Sequence, residues 1–272
     1  MSNSDKISVI MSVYNSEDTV SQAIESILNQ TYTNWELVIC DDASTDKTYD
    51  ILLCYKNMYP EKIVLLKNDV NSKLSYSLNK CLSKSSGYFI ARMDADDISL
   101  THRFEKQIKF LQDNPNVDLV GSYMHRFNEK GIFDIVKVEP EPNKYSLRYG
   151  PPFNHATIMT YRHVYDKLNG YTVSKWTQRS QDYELWFRFF HQGFSGKNIN
   201  EPLYLVRENI DAIKRRTIRV RFNALKLTID GYRLLDYPKS WYFLPVIKTI
   251  AKSLTPFKVQ VIYRKIQEIL SK

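Results

Sequence analysis

Apolar and polar residues alternate with two different periods in the first hundred residues of the chain. Residues 7–13 form an apolar run of strand length, and Val20, Ala23, Ile24 and Ile27 follow at helical spacing. Short apolar runs of this kind are typical of strands buried on both faces. The pattern predicts strands at 7–13, 35–40, 62–67 and 88–93, with helices from 16, at 44–59 and at 74–82 between them. This β-α-β order predicts right-handed crossovers and a largely parallel sheet flanked by helices.

The remainder of the chain has a less regular pattern. A helix carrying Phe104, Ile108 and Leu111 is expected to begin near Thr101 and to end before Pro115. The pattern then predicts strands at 117–127, 132–138, 155–161 and 203–207, an amphipathic helix at 181–192, and a helical tail from about 213. The expected fold is therefore an α/β domain at 1–210 followed by a basic helical appendage at 211–272.

Charge separates the tail from the rest of the chain. The net charge is +8, but residues 211–272 contain fourteen Lys and Arg against four Asp and Glu, whereas residues 1–210 are close to neutral. A hydrophobic fraction of 43% predicts a substantial core. Because no apolar run approaches the roughly 18 residues of a membrane-spanning helix, and no signal peptide is evident, an integral membrane protein is not expected. Cys40, Cys54 and Cys81 lack metal-ligand spacing and are expected to be reduced thiols.

Candidate chemistry lies directly after the predicted strands. Tyr14 and Asn15 follow the first strand, Asp41-Asp42 follows the second, and Asp94-Ala95-Asp96-Asp97 follows the fourth. Parallel sheets bind ligands at the carboxyl ends of their strands, so these side chains are expected along one rim. Neither a G-x-G-x-x-G nor a G-x-x-x-x-G-K-[ST] motif is present, which argues against a dinucleotide site and a P-loop.

A rim rich in carboxylates repels a diphosphate unless a divalent cation lies between them. Mg²⁺ and Mn²⁺ are commonly held by one or two carboxylates together with substrate phosphates. Two aspartates separated by one residue, Asp94 and Asp96, can supply that arrangement. An isolated D-x-D occurs often by chance, and its position after a long apolar strand is what favours a metal site.

The segment 181–188 and His155 each allow two interpretations. Asp182 is either a first-turn acid of an amphipathic helix or a general base near an acceptor. His155 is either a structural hydrogen-bonding residue or a substrate contact, while Trp176 and Trp186 favour packing over sugar stacking. The residues alone leave both questions open.

Together these segments resemble the family 2 glycosyltransferases of the GT-A fold. The matching segments, in the family's order, are 8–15, 23–32, 35–46, 94–97, 169–171, 181–188 and 201–203. The resemblance implies a nucleotide-binding half at about 1–100 and an acceptor half at about 101–210. It also departs from the family twice: residues 71–73 replace a common glycine, and no histidine follows the last strand at 206–208, so a third metal ligand is not assigned.

The resemblance also implies roles for individual residues. Tyr14 is expected to stack on uracil with Asn15 beside it, and Asp42 to bond the edge of the base. Asp94 and Asp97 are expected near the ribose and diphosphate, Asp96 at a Mn²⁺ or Mg²⁺ ion, and His155 near the donor phosphates or the acceptor. Asp182 matches the catalytic base of an inverting transfer, in which the acceptor oxygen attacks the anomeric carbon and a nucleoside diphosphate departs.

Size and tail further resemble bacterial enzymes that build O-antigen repeat units. They imply hexose transfer from a UDP-sugar, UDP-glucose in β-1,3 linkage being preferred, to GlcNAc-diphosphate-undecaprenol at the cytoplasmic face of the inner membrane. Cations at 214–216, Arg219 and Arg221, followed by the aromatic segment 241–244, suit an anionic membrane surface. A tail packed on the catalytic domain, a UDP-galactose donor, a capsule enzyme and a non-catalytic sugar-nucleotide binder remain the alternatives. A nucleotidyltransferase would be expected to open with a glycine-rich loop, and no motif supports nucleic-acid binding.

Overall fold

The computed structural model describes residues 5–208 and 217–255. The first part has the predicted alternation of strands and helices. Its elements are β1 (Ile7–Val13), α1 (Val20–Leu28), β2 (Trp35–Asp41), α2 (Thr48–Met58), β3 (Ile63–Lys67), α3 (Leu74–Lys84) and β4 (Phe89–Asp94). The helix starts predicted at 16 and 44 lie three to four residues too early. Asn15 and Ala43 have positive φ, so tight turns extend each loop before its helix begins.

The second part contains more elements than the pattern predicts. They are β5 (Ile98–Ser99), α4 (Arg103–Asp113), β6 (Leu119–Asn128), β7 (Gly131–Val136), β8 (Met159–Tyr161), α5 (Arg162–Leu168), α6 (Gln181–His191), β9 (Gly196–Arg207), α7 (Ile218–Leu234) and α8 (Phe243–Leu254). Residues His155–Thr157 form a 3₁₀ turn rather than the start of a strand. The backbone N–H and hydroxyl of Thr157 both donate to the Asn154 carbonyl, which closes that turn.

One nine-stranded sheet runs through the molecule in the order β3-β2-β1-β4-β8-β6-β9-β5, with β7 paired to β6. The strands β3, β2, β1 and β4 are parallel to one another, as predicted. β8 then enters antiparallel between β4 and β6, while β6 and β9 are again parallel. The sheet is therefore parallel in its first half and mixed in its second.

The sheet separates two hydrophobic cores. In β1, Val9 and Met11 belong to one core and Ile10 to the other, because successive side chains of a strand point to opposite faces. All three of these side chains are fully buried. The three cysteines are free thiols, as predicted.

The described part of the tail packs on the second core. Gly231 of α7 lies against Phe187 of α6, where an added Cβ atom would come within 2.4 Å of the ring. The ring of Tyr232 meets Phe187 edge-on at 6.1 Å between centroids. Beyond it, α8 exposes Phe243, Ile247 and Ile250. Within 5–208 and 217–255, no helix is long and apolar enough to cross a membrane, while the cations predicted at 214–216 lie outside those residues.

Candidate active site

The carboxyl ends of β1, β2 and β4 meet at one edge of the sheet. In the strand register, Val13 pairs with Asp41 and Ser12 pairs with Asp94, which places these two aspartates on either side of the end of β1. Tyr14 follows β1 directly and is 46% exposed. The structure thus brings together the three post-strand segments that the sequence predicts to share a rim.

Asn15 fastens the turn after β1 to the loop after β2. Its backbone N–H donates to Ser44 Oγ at 3.0 Å, and its side-chain oxygen accepts from the backbone N–H of Thr45 at 2.8 Å. Asn15 adopts a left-handed backbone conformation, with φ of 48°. Asn15 therefore shapes the rim next to the exposed ring of Tyr14.

Asp42 supports the loop that precedes α3. Its carboxylate accepts hydrogen bonds from Asn68 Nδ2 at 2.8 Å and from the backbone N–H groups of Ser72 and Lys73 at 2.8 and 2.9 Å. Asp42 is only 3% exposed. Both of its oxygens are therefore engaged in hydrogen bonds within the protein.

The neighbouring carboxylate of Asp41 was not among the predicted site residues. It is fully buried at the end of β2. One of its oxygens accepts from the backbone N–H of Ser44 at 3.2 Å, and the other has no hydrogen-bond partner within the described residues. The doublet Asp41-Asp42 indicated in the sequence that carboxylates follow β2. It did not show which of the two has both oxygens occupied by hydrogen bonds within the protein.

The acidic loop after β4 is held by residues far away in the chain. The backbone N–H of Asp94 donates to Tyr204 Oη at 3.1 Å, and the Asp97 carboxylate accepts from the backbone N–H of Arg207 at 2.8 Å. Tyr204 and Arg207 both belong to β9. Asp97 is 3% exposed, whereas Asp94 and Asp96 are half-buried. Asp94 and Asp96 are therefore partly accessible to solvent in a loop that Asp97 anchors.

Crowding of these carboxylates changes their acidity. Burial raises the pKa of Asp96, and the nearby Asp94 carboxylate raises it further. Burial raises the pKa of Asp97 well above the usual value, again with Asp94 and then Asp96 contributing. Like charges held this close favour a divalent cation as counter-charge. Among the described residues there is no group of three or more His, Cys, Asp or Glu side chains that could hold a metal ion.

Arg92 is a buried cation at the centre of the site and was not one of the predicted site residues. It is 1% exposed, and its guanidinium donates to Asp94 Oδ1 at 2.5 Å and to the backbone carbonyl of Met93. Burial alone lowers the pKa of Arg92, but Asp94 and the hydroxyls of Tyr171 and Tyr204 outweigh it, so the group stays protonated. The signal available in the sequence was a single charged residue inside the apolar run 88–93.

Asp182 lies in the first turn of α6 and belongs to the same site. Burial raises the pKa of its carboxyl, the backbone N–H of Tyr183 lowers it, and the charges of Asp94 and Arg92 act on it in opposite directions. Asp182 therefore lies close enough to Asp94 and Arg92 to interact with them electrostatically. The structure thus brings the predicted base and the predicted metal-diphosphate loop together.

His155 is linked to a buried pair of tyrosines. Its Nε2 lies 2.8 Å from Tyr171 Oη, which in turn lies 2.6 Å from Tyr165 Oη. Burial, reinforced by the charge of Arg92, lowers the pKa of His155 well below its usual value, so the imidazole is neutral at pH 7. Trp186, fully buried and 5.1 Å from the Phe153 ring, packs as expected, whereas Trp176 is 43% exposed.

Solved structures of low sequence identity share this fold. A fragment of S. aureus TarS in complex with UDP aligns with a TM-score of 0.65 and 17% identity, covering 85% of this chain and 69% of that one. The mannosyltransferase PcManGT of Pyrobaculum calidifontis, in complex with GDP-Man and Mn²⁺, aligns with a TM-score of 0.61 and 15% identity, covering 97% and 80%. The chain therefore has the GT-A-like α/β fold that the sequence predicts.

The family follows from closer relatives. EpsE of Bacillus subtilis (strain 168), which bears the name of a glycosyltransferase, is 42% identical over 267 residues, covering 97% of this chain and 95% of its own. The Escherichia coli UDP-Glc:alpha-D-GlcNAc-diphosphoundecaprenol beta-1,3-glucosyltransferase WfaP is 30% identical, covering 81% and 85%. Residues 8–168 match the model of glycosyl transferase family 2. The chain belongs to glycosyl transferase family 2.

Proposed function

We propose that the protein transfers a hexose, with inversion, from a UDP-sugar to a GlcNAc-diphosphate-polyprenol of the undecaprenol type. UDP-glucose and a β-1,3 linkage are the preferred donor and product. The observation that carries this proposal is the electrostatic interaction of Asp182 with Asp94 of the acidic loop and with Arg92, the cation that pairs with Asp94. The activity for which WfaP is named supports the choice of donor, acceptor and linkage, since WfaP aligns with most of the chain.

The donor is proposed to lie along the rim of β1, β2 and β4. The exposed ring of Tyr14 stacks on the uracil, and Asn15 and Asp42 hold the two loops that border it. Asp96, with Asp94 and Asp97 beside it, holds a Mn²⁺ or Mg²⁺ ion together with the donor diphosphate. Such a cation neutralises the diphosphate and stabilises the departing UDP.

Asp182 is proposed to be the general base. Its carboxylate accepts the proton of the acceptor hydroxyl as that oxygen bonds to the anomeric carbon. The bond from the anomeric carbon to the UDP oxygen breaks at the same time, and its electrons leave with UDP. Because burial raises the pKa of Asp182, its ionised form is a stronger base than an exposed aspartate. His155 is neutral and can share a hydrogen bond with the donor phosphates or the acceptor.

The acceptor's lipid is proposed to bring the protein to a membrane surface, at the cytoplasmic face of the bacterial inner membrane. The side chains of Phe243, Ile247 and Ile250 lie three or four residues apart on α8 and are exposed. An exposed apolar stripe on a helix in a basic segment is the pattern of an interfacial helix. The appendage at 211–272 is proposed to serve this contact.

The decisive experiment is a donor screen against a synthetic GlcNAc-diphosphate-lipid, with Mn²⁺ and with chelator. Transfer from UDP-glucose that stops with chelator supports the proposal, and transfer only from UDP-galactose replaces the donor. We expect Asp96→Ala to abolish metal-dependent transfer, while Asp113→Asn, an exposed aspartate on α4, leaves it intact. UDP binding without transfer from any sugar to this acceptor or to a capsule-type acceptor would identify a non-catalytic binder.

A further inference from the structure

Arg103 is a buried arginine to which the proposed chemistry gives no part. It is the first residue of α4 and is fully buried. Burial lowers its pKa to about 10, with Tyr204 opposing and Arg92 adding to that shift, so it is charged at neutral pH. Within the described residues no carboxylate forms an ion pair with it. A buried cation without a counter-ion costs stability, so its presence needs another explanation.

The guanidinium joins two segments of the site. Its Nη2 donates to the carbonyl of Arg92 at 2.9 Å and to the carbonyl of Ile158 at 3.1 Å. Arg92 lies in β4, two residues before Asp94, and Ile158 follows the turn that contains His155. The last β4–β8 ladder pair is Ala91 with Met159, and the backbone N–H of Arg92 then donates to the Ile158 carbonyl at 3.1 Å. The guanidinium therefore reinforces a connection that the two backbones already make.

A neighbouring side chain on α4 strengthens the link to the His155 turn. Arg103 Nε donates to Gln107 Oε1 at 3.0 Å. Gln107 Nε2 in turn donates to the carbonyl of Thr157 at 2.7 Å. Both residues are fully buried, and their spacing of four places them on the same side of the helix.

The guanidinium also contacts a tyrosine that binds the acidic loop. It lies 5.1 Å from the centroid of the Tyr204 ring. Tyr204 Oη accepts a hydrogen bond from the backbone N–H of Asp94. The same hydroxyl lowers the pKa of Asp97, although burial raises that pKa overall. Arg103 therefore contacts Arg92 before the acidic loop, Ile158 after the His155 turn and the ring of Tyr204, which binds the acidic loop.

We propose that Arg103 is a positioning residue that holds the acidic loop and the His155 turn in one fixed relative arrangement. This inference rests on the proposed function, because it concerns the geometry in which donor and acceptor meet. An apolar side chain of similar length can fill the space without the cost of a buried charge. It cannot bridge the two carbonyls, and small displacements of reacting groups reduce turnover strongly.

The test compares Arg103→Met, Arg103→Lys and a matched control. For Arg103→Met we expect kcat to fall on the order of 100-fold while the thermal unfolding midpoint stays within about 3 °C of the wild type. Arg103→Lys should be equally slow, since one ammonium group keeps the charge but cannot reproduce the fork.

Arg162→Met is the control. Arg162 also donates to two carbonyls, those of Gly87 at 2.9 Å and Ser85 at 2.5 Å, but at the opposite end of β4 from Asp94. It should lower the unfolding midpoint and leave kcat unchanged. An equal loss of kcat in this control, wild-type kcat in Arg103→Met, or recovery in Arg103→Lys would overturn the proposal.

Two further measurements keep the test independent of folding and of substrate identity. If Arg103→Met does not fold, Tyr204→Phe removes only the hydroxyl that binds the acidic loop, and wild-type kcat in that variant overturns the proposal. Amide hydrogen exchange at 94–97 and 155–158 should be faster in Arg103→Met than in Arg162→Met. That comparison decides the role of Arg103 even if no sugar is transferred, an outcome that would refute the proposed function instead.

Discussion

At the scale of single residues, the site is defined by how burial alters charge. Asp96, Asp97 and Asp182 all have raised pKa values because they are withdrawn from water. Arg92 partly offsets the repulsion among these carboxylates. It is buried beside them and forms an ion pair with Asp94. Carboxyl groups with raised pKa values beside a buried cation are more frequent at functional sites than on ordinary acidic surfaces.

Asp182→Asn separates binding from turnover. The amide keeps the shape of the side chain but cannot accept a proton at neutral pH, so we expect kcat to fall about 10²–10⁴-fold. Isothermal calorimetry with UDP and Mn²⁺ should give an affinity close to that of the wild type. Asp113→Asn is the control, and full turnover in Asp182→Asn would exclude it as the base.

The dependence of kcat/KM on pH should also show that Asp182 acts as the general base. A general base acts in its ionised form, so kcat/KM is full above its pKa and falls as the pH is lowered through it. Because burial raises the pKa of Asp182, the fall should begin at a higher pH than for an exposed aspartate. A pH–rate profile at saturating metal measures this limb, and a profile flat into the range of ordinary carboxyl groups would contradict it.

At the scale of elements, the loop before α3 has a strained backbone at Lys73. Lys73 has φ of 73° and ψ of 165°, a region populated almost only by glycine. The two backbone N–H groups that Asp42 accepts stabilise this conformation. The departure noted in the sequence therefore has a backbone cost, and it places a lysine beside the proposed donor rim.

Lys73→Gly should relieve that strain. We expect the free energy of unfolding to rise by about 1 kcal/mol, since a strained residue of this kind costs about 1–3 kcal/mol and glycine returns part of it as chain entropy. Asn71→Gly, in the same loop without a positive φ, should be neutral or destabilising. Urea denaturation measures both, and a loss of stability in Lys73→Gly would mean that the side chain makes compensating contacts.

The sequence was sufficient for the elements with clear periodicity and not for the others. β1 to β4 were predicted because each is a long apolar run between loops rich in polar residues. β5 has only two residues, too few to show a period, and it forms because β9 offers it a partner. β8 is the last part of the strand predicted at 155–161, whose first part is the 3₁₀ turn. The rim followed from strand order, but Tyr204 could not be predicted, since its contact with Asp94 depends on β9 returning beside β5.

At the scale of the whole molecule, the two faces of the sheet are covered differently. The core that contains Val9 is closed by α1, α2 and α4, whereas the core that contains Ile10 is closed by α3, α5, α6 and the tail helix α7. The apolar stripe of α8 thus lies on the same side of the sheet as α6, which carries Asp182. A membrane contact there would approach the acceptor side of the proposed site.

Replacing Phe243 and Ile247 by serine should weaken membrane binding. Each exposed apolar side chain that enters the interface contributes about 1.5–3 kcal/mol, so we expect at least about a tenfold loss of partitioning. Sedimentation with vesicles of phosphatidylglycerol measures it. Leu53→Ser with Met58→Ser, two exposed apolar residues of α2 on the other side of the sheet, is the matched control. Equal binding by both double variants would place the membrane contact elsewhere.

The hydrogen bond from the backbone of Arg207 to Asp97 spans 110 positions of the chain. Residues 8–168, which match the family model, are therefore fewer than the residues needed to fold with the acidic loop intact. A fragment ending at 168 would still match the family model. Its buried Asp97 would lack the backbone N–H of Arg207, and the backbone N–H of Asp94 would lack the hydroxyl of Tyr204. Gene fusions or truncations that keep the recognisable segment and lose β9 should therefore preserve the signature of the family without its chemistry.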